Sequence, residues 1–121
     1  MMRYIAYPRV VVTGIGTVSP IGITCDVFWK NLIGGVNGVA PITLFDTTGY
    51  PVKLAAEVKN FDPSEFMPLK RADRAGRCTQ FAIAAMQEAI EQAHLDMTRE
   101  RPERVGVIIA TGGMPGDLYY Y

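Results

Sequence analysis

Side chains that could act as nucleophile or general base at neutral pH are few: two cysteines, Cys25 and Cys78, and a single histidine, His94. A thiol becomes a useful nucleophile when an imidazole, a cation or a helix N-terminus favours its thiolate. Cys25 stands in the stretch Ile23-Thr24-Cys25-Asp26-Val27-Phe28, where the charge of Asp26 works against ionisation. Cys78 falls on the small-residue face of a long helical pattern. Both read as small packing residues. His94 closes that helical pattern before Leu95, where a cation suits the helix dipole, and it reads as a cap rather than a base. No Ser-His-Asp or Cys-His pair assembles, and the carboxylates show no paired spacing. The cysteines lack the CxxC spacing of a zinc ribbon. Neither a metal nor an organic cofactor is expected.

The glycine-rich stretch Gly14-Ile15-Gly16-Thr17-Val18-Ser19-Pro20-Ile21-Gly22 invites comparison with a dinucleotide fingerprint. The spacing argues against it. The third glycine of G-x-G-x-x-G would stand at Ser19, and Pro20 follows at once, so the close approach of a pyrophosphate is not provided for. No acidic residue closes a second strand at the right place. A P-loop is excluded too, because no glycine is followed by Lys and then Ser or Thr. The plainer reading is a tight strand-to-helix turn.

A basic cluster, Lys70, Arg71, Arg74 and Arg77, precedes and enters the long helix, with Asp73 among it. Its bland reading is a solvated helix start. Its functional reading is a weak docking edge for an acidic partner, steering encounter and fading with salt.

Composition narrows the classes. The chain has 121 residues, 49% hydrophobic and 20% charged, enough for one hydrophobic core. Twelve basic and twelve acidic residues cancel, which gives no reason to expect nucleic acid or an anionic membrane as partner, and little protection against self-association. No apolar run approaches the roughly 20 residues of a membrane helix. Residues 1–8, broken by Pro8, read as an extension rather than a signal peptide. Unpaired cysteine usage fits a reducing, cytoplasmic setting.

These candidates must be positioned by the elements around them. Arg9–Thr13 is a continuous β-branched run, the pattern of a strand buried on both faces. Thr24 is placed to cap a helix from Asp26 to Ile33, with Phe28 and Leu32, and Trp29 and Ile33, on its buried side and Gly34-Gly35 at its end. Pro41, Pro51, Pro63 and Pro68 punctuate a long irregular segment over 36–68, in which Leu54–Val58 makes at best one short strand. From Asp73 to His94 runs the clearest helical pattern: Cys78, Ala82, Ala85, Ala89 and Ala93 form a small-residue stripe, widened by Met86 and Ile90. Gln80, Gln87 and Glu91 mark the wet side. Arg104–Ala110 is a second buried-type strand. The order implies an α/β chain with a parallel strand pair. A two-strand parallel sheet needs both faces covered, and only two substantial helices are supplied.

Arg9-Val-Val-Val-Thr-Gly-Ile-Gly-Thr-Val-Ser-Pro-Ile-Gly22 resembles the opening of the elongating β-ketoacyl-acyl-carrier-protein synthases. Further motifs follow in register: Phe28-Trp-Lys-Asn-Leu32, the segment Pro41–Thr47, Ala55-Ala-Glu-Val-Lys-Asn-Phe-Asp-Pro63, Thr79–Ala85 and Arg104–Gly112. The resemblance implies an α/β, thiolase-like, αβαβα-layered fold, of which residues 9–121 would be the N-terminal portion. It implies decarboxylative condensation of acyl and malonyl thioesters, acyl carrier protein as partner, and a homodimer. The family's nucleophilic cysteine lies in a motif resembling A-C-A/T-S/T-G, which neither Cys25 nor Cys78 matches, and its two histidines have no counterpart here. No catalytic residue is therefore assigned. Lys70 and Arg74 fall on the family's basic carrier-docking positions. Thr111, Gly112, Gly113 and Met114 fall at the edge of its acyl pocket, in a shorter or rearranged version of the family's glycine stretch. Ala75-Gly76 replaces the usual Met-Asp, and Gly76 weakens the first helical turn by roughly 1 kcal/mol. Together these features imply a truncated, partial or diverged synthase chain, inactive alone. The alternative is a non-catalytic module that binds a carrier protein or a fuller partner subunit.

Overall fold

The computed structural model describes residues 8–110. Its first helix, α1 (Cys25–Ile33), begins where the sequence provides a cap. Thr24 is extended (φ −139°, ψ 160°), and its Oγ1 accepts the Val27 amide at 3.4 Å. Asp26 in the first turn and Lys30 in the last complement the helix dipole. Gly34 caps the end, and Gly35 follows at φ +68°, a left-handed conformation that only glycine adopts without strain. The expected buried side of α1 is realised only in part. Phe28 is half-buried, whereas Trp29, Leu32 and Ile33 are exposed.

The irregular segment carries a minimal hairpin-like contact. Strand β1 (Ala40–Pro41) pairs antiparallel with β2 (Leu54–Ala55), in register Ala40 to Ala55 and Pro41 to Leu54. Proline tolerates this place because the pair is all edge. The Ile42 amide extends the contact to the Lys53 carbonyl at 3.0 Å. Beyond it, the Glu57 carboxylate takes the Thr43 amide at 3.0 Å, the Thr43 hydroxyl at 2.8 Å and the Leu44 amide at 3.2 Å. Those donors hold the Glu57 carboxyl below its ordinary range, the Thr43 side chain contributing most.

The long helix expected from Asp73 to His94 starts later, at Arg77, and a separate short helix precedes it. A short α2 (Leu69–Ala72) is separated by a turn from α3 (Arg77–Gln92). Gly76 is the reason. It adopts φ −60°, ψ 157° and stands as the N-cap of α3, so α3 starts there rather than at Asp73. Gln80 reaches back across the break, its Nε2 donating to the Ala72 carbonyl at 3.0 Å and the Ala75 carbonyl at 3.1 Å. Gln87 Nε2 donates to the Phe66 carbonyl at 2.8 Å. These two glutamines, expected on the wet side, instead bind the 66–75 segment to α3, because the carbonyls freed by turns and helix ends need donors. Glu91 is exposed as expected.

At its other end α3 closes in a Schellman motif. His94 lies at φ +51°, its amide bonding to the Glu91 carbonyl at 3.0 Å, and the Leu95 amide bonds to Ile90 at 3.1 Å. His94 is thus a cap, in a conformation glycine would hold more cheaply.

The core sits between α3 and the 61–72 segment. Phe61, Met67, Ala72 and Ala84 are buried. Phe61 stacks on Phe66 at 5.3 Å and meets Phe81 edge-on at 5.0 Å.

The two β-branched segments do not form the expected parallel pair. Among the described residues, the only sheet is β1–β2, and neither Arg9–Thr13 nor 106–110 forms a strand or a backbone hydrogen bond. Parallel pairing is stable only when both faces are covered. Among the described residues the small-residue face of α3 is taken by the glycine loop and does not cover such a pair.

Candidate functional site

The Gly14–Gly22 loop lies directly on α3, and glycine is required there. A β-carbon at Gly16 would fall on the Ala85 carbonyl oxygen, and one at Gly14 on that of Ala89. The alanine stripe and the paired glycines together bring two backbones into contact.

Side chains of α3 then take up the loop's amides. The Ile15 amide donates to Gln92 Oε1 at 2.7 Å, and the Thr17 amide to Glu88 Oε2 at 2.9 Å. The other oxygen of Glu88 accepts the Cys25 amide at 2.7 Å. Cys25 is the first residue of α1, so the carboxylate sits at that helix's positive end as well as on the loop. One side chain thereby fixes loop, α1 and α3 together. Glu88 and Gln92 are the residues that sequence reasoning missed. The available signal was their spacing of one helical turn beside Ala85 and Ala89, opposite a loop whose amides needed acceptors.

Cys25 is half-buried beside this junction and lines an open, mainly apolar hollow of about 380 Å³ with Ile15, Thr17, Phe28, Trp29 and Gln92. Burial pushes its thiol up, and the hydrogen bond and charge of Glu88 and the charge of Asp26 push the same way. The setting is opposite to that of a nucleophilic thiolate. Cys78 is exposed on α3, its Sγ 4.0 Å from Thr79 Oγ1, rather than packed on the alanine stripe. Among the described residues no His, Cys, Asp or Glu cluster could hold a metal ion, and no helix is long and apolar enough to cross a membrane.

The basic cluster divides in two. Lys70 and Arg71 on α2 and Arg74 in the following turn are exposed, as is Asp73. Arg77 is not part of that surface. Its guanidinium lies over the rings of Phe61 and Phe81, 4.9 and 4.7 Å from their centroids, and Nη2 reaches the Val58 carbonyl at 3.5 Å. Lys70 and Arg74 are therefore each exposed, while Arg77 belongs to the aromatic cluster. Thr111, Gly112, Gly113 and Met114, the expected acyl-pocket edge, lie outside the described residues.

Comparison with known proteins agrees with this arrangement. The family model for the β-ketoacyl synthase N-terminal domain matches residues 8–118. The 3-oxoacyl-[acyl-carrier-protein] synthase 2 of Staphylococcus aureus (strain COL) is 45% identical over 104 residues, covering 86% of this chain and 25% of that protein. The synthase of the same name from Synechocystis sp. (strain ATCC 27184 / PCC 6803 / Kazusa) is 42% identical over the same share of each. Among solved structures, the ishigamide ketosynthase/chain length factor superposes with a TM-score of 0.63 at 38% identity, over 71% of this chain and 21% of its own. The chain thus spans about a quarter of the length of the curated relatives it matches. With its mixed helix and strand, its glycine loop seated on α3 and a family match running from Pro8 to Leu118, this chain belongs to the β-ketoacyl synthases, by their N-terminal domain.

Proposed function

We propose that this chain serves decarboxylative condensation of acyl and malonyl thioesters as the N-terminal framework of a 3-oxoacyl-acyl-carrier-protein synthase, and that by itself it performs no acyl transfer. The observation that carries this reading is the setting of Cys25. Its amide is bound to Glu88, and burial, Glu88 and Asp26 all hold its thiol protonated. A condensing enzyme needs the reverse, a thiolate to accept the acyl group. In this reading residues 9–121 are domain and 1–8 an extension, the working partner is acyl carrier protein, and the setting is the reducing cytoplasm, where Cys25 and Cys78 stay as thiols. Thr111, Gly112, Gly113 and Met114 are proposed as the edge of the acyl pocket, and the assembled enzyme as a homodimer.

Carrier docking is proposed at Lys70 and Arg74. Both are exposed on α2 and its following turn, whereas Arg77, a neighbour in sequence, is taken up by aromatic rings. That exposed pair also favours the second reading, a non-catalytic module binding a carrier protein or a fuller subunit. Titration of the chain with acyl carrier protein at low salt tests the docking edge. Binding should weaken about five- to tenfold for each of Lys70→Glu and Arg74→Glu and fade with added salt. Absent binding, or binding indifferent to both reversals, contradicts it.

A further inference from the structure

We propose that Asn37 is a site of spontaneous covalent modification, at which the Gly38 peptide nitrogen closes on the Asn37 side-chain amide and expels ammonia. Water then opens the resulting succinimide to aspartate or isoaspartate. Of the three asparagines, Asn31, Asn37 and Asn60, only Asn37 is followed by glycine, whose missing side chain leaves the attacking nitrogen unshielded. The Asn37 side chain is also turned toward that nitrogen's peptide. Its Oδ1 accepts the Val39 amide at 2.9 Å, which folds the side-chain carbonyl forward along the chain. The same bond places a donor on the oxygen that gains negative charge during the attack. The other two asparagines are held differently. Asn31 lies within α1, its Nδ2 donating to the Ile21 carbonyl at 2.6 Å, and Leu32 follows it. Asn60 is followed by the buried Phe61.

Water is the only co-reactant. The Gly38 nitrogen bonds to the side-chain carbonyl carbon of Asn37 as it loses its proton. The carbon–nitrogen bond of the side-chain amide breaks, and that nitrogen leaves with the proton as ammonia. Water then adds to one imide carbonyl and breaks its bond to the ring nitrogen. Opening at the side-chain carbonyl gives aspartate. Opening at the main-chain carbonyl gives isoaspartate, whose backbone is one methylene longer. Either product adds a negative charge to a chain whose twelve cations and twelve anions cancel. The extra methylene also displaces Gly38, which packs so closely on the glycine loop that a β-carbon there would stand 2.9 Å from Pro20 Cβ and 3.0 Å from Ile21 Cγ2. The isoaspartyl chain is therefore the less stable product.

Incubation of the full chain at mildly alkaline pH, followed by isoelectric focusing and by peptide mapping with an isoaspartyl methyltransferase, tests this. An acidic species should accumulate, with Asn37 reacting about tenfold or more faster than Asn31 or Asn60. Asn37→Gln should abolish it, because closure would then need a larger, less favourable ring. Val39→Pro removes the donor to Oδ1 and leaves Asn37-Gly38 intact. It should slow the reaction of the folded chain about fivefold, the worth of one hydrogen bond, and make no difference in concentrated urea. Helical circular dichroism shows whether this variant is folded. If it is not, the parent decides: the folded chain should react no more slowly than the chain in urea. The isoaspartyl chain should unfold at a lower urea concentration than Asn37→Asp, which has the charge without the added methylene. The proposal is overturned if no acidic species forms, if the change maps to Asn31 or Asn60, if folded Val39→Pro reacts like the parent, if folding slows the parent where that variant is unfolded, or if the isoaspartyl chain is as stable as Asn37→Asp. Neither acyl group nor carrier protein enters the experiment, so its outcome is independent of the function proposed above.

Discussion

The amide of Cys25 donates to Glu88 Oε1 at 2.7 Å, joining the start of α1 to the middle of α3 across most of the described chain. The same carboxylate takes the Thr17 amide at 2.9 Å. Two part-buried amides thus depend on one acceptor. Glu88→Ala should cost about 3 kcal/mol of stability, since hydrogen bonds to a charged group contribute about 1.5–3 kcal/mol each. Glu88→Gln should cost less, because its carbonyl oxygen still serves one amide. Urea denaturation measures both, and an alanine variant as stable as the parent would show that the junction is held by something else.

The Cys25 thiol should ionise above the ordinary value of 9.0. A group whose folded pKa is raised keeps its proton in the folded chain after the unfolded chain has lost it. Stability should therefore fall as pH rises from about 9 toward the folded pKa, and this loss should be absent in Cys25→Ser. Alkylation of Cys25 in a Cys78→Ser background reads the same shift directly. Glu88→Gln should lower the alkylation midpoint by removing the charge of Glu88, although burial, the largest cause, remains.

Gly16→Ala should be among the most damaging small substitutions, costing about 3 kcal/mol or more, because its β-carbon meets backbone rather than a yielding side chain. Gly35→Ala provides the contrast. Nothing lies near its β-carbon position, and only the positive φ opposes it, at about 1–2 kcal/mol. Denaturation midpoints of the two variants check the order.

Arg77→Ala should lower stability by about 1–2 kcal/mol through lost stacking on Phe61 and Phe81, while leaving carrier affinity unchanged. Lys70→Glu should do the opposite, leaving stability within about 0.5 kcal/mol and weakening the carrier. Measuring stability and titration on both variants separates an arginine of the core from a lysine of the surface. A loss of carrier binding in folded Arg77→Ala would move the docking edge onto α3.

Local chemistry was readable from the sequence wherever one residue decides it. Thr24 caps α1, the proline-punctuated stretch is irregular, and the small-residue stripe lies on α3, where a glycine loop packs on it. What escaped depends on partners distant in sequence. Gly76 was visible as a weak helix residue, but not as the point where the helix starts. Gln80 and Gln87 looked solvated because the carbonyls they serve belong to a segment whose path no periodicity encodes. Glu88 was hidden for the same reason, since its oxygens accept amides of the glycine loop and of the start of α1, more than sixty positions away. Arg9–Thr13 has the composition of a buried strand, yet burial depends on a cover that the described residues do not provide.

We propose that this polypeptide carries the framework of a condensing enzyme and that neither Cys25 nor Cys78 accepts an acyl group. Incubation with radiolabelled acyl-acyl-carrier protein, followed by denaturing electrophoresis and peptide mapping, tests it most directly. The label should stay on the carrier protein, with none transferred to Cys25 or Cys78 and no condensation product when malonyl carrier protein is added. A stable acyl thioester on either cysteine, or a newly formed carbon–carbon bond, would contradict the account.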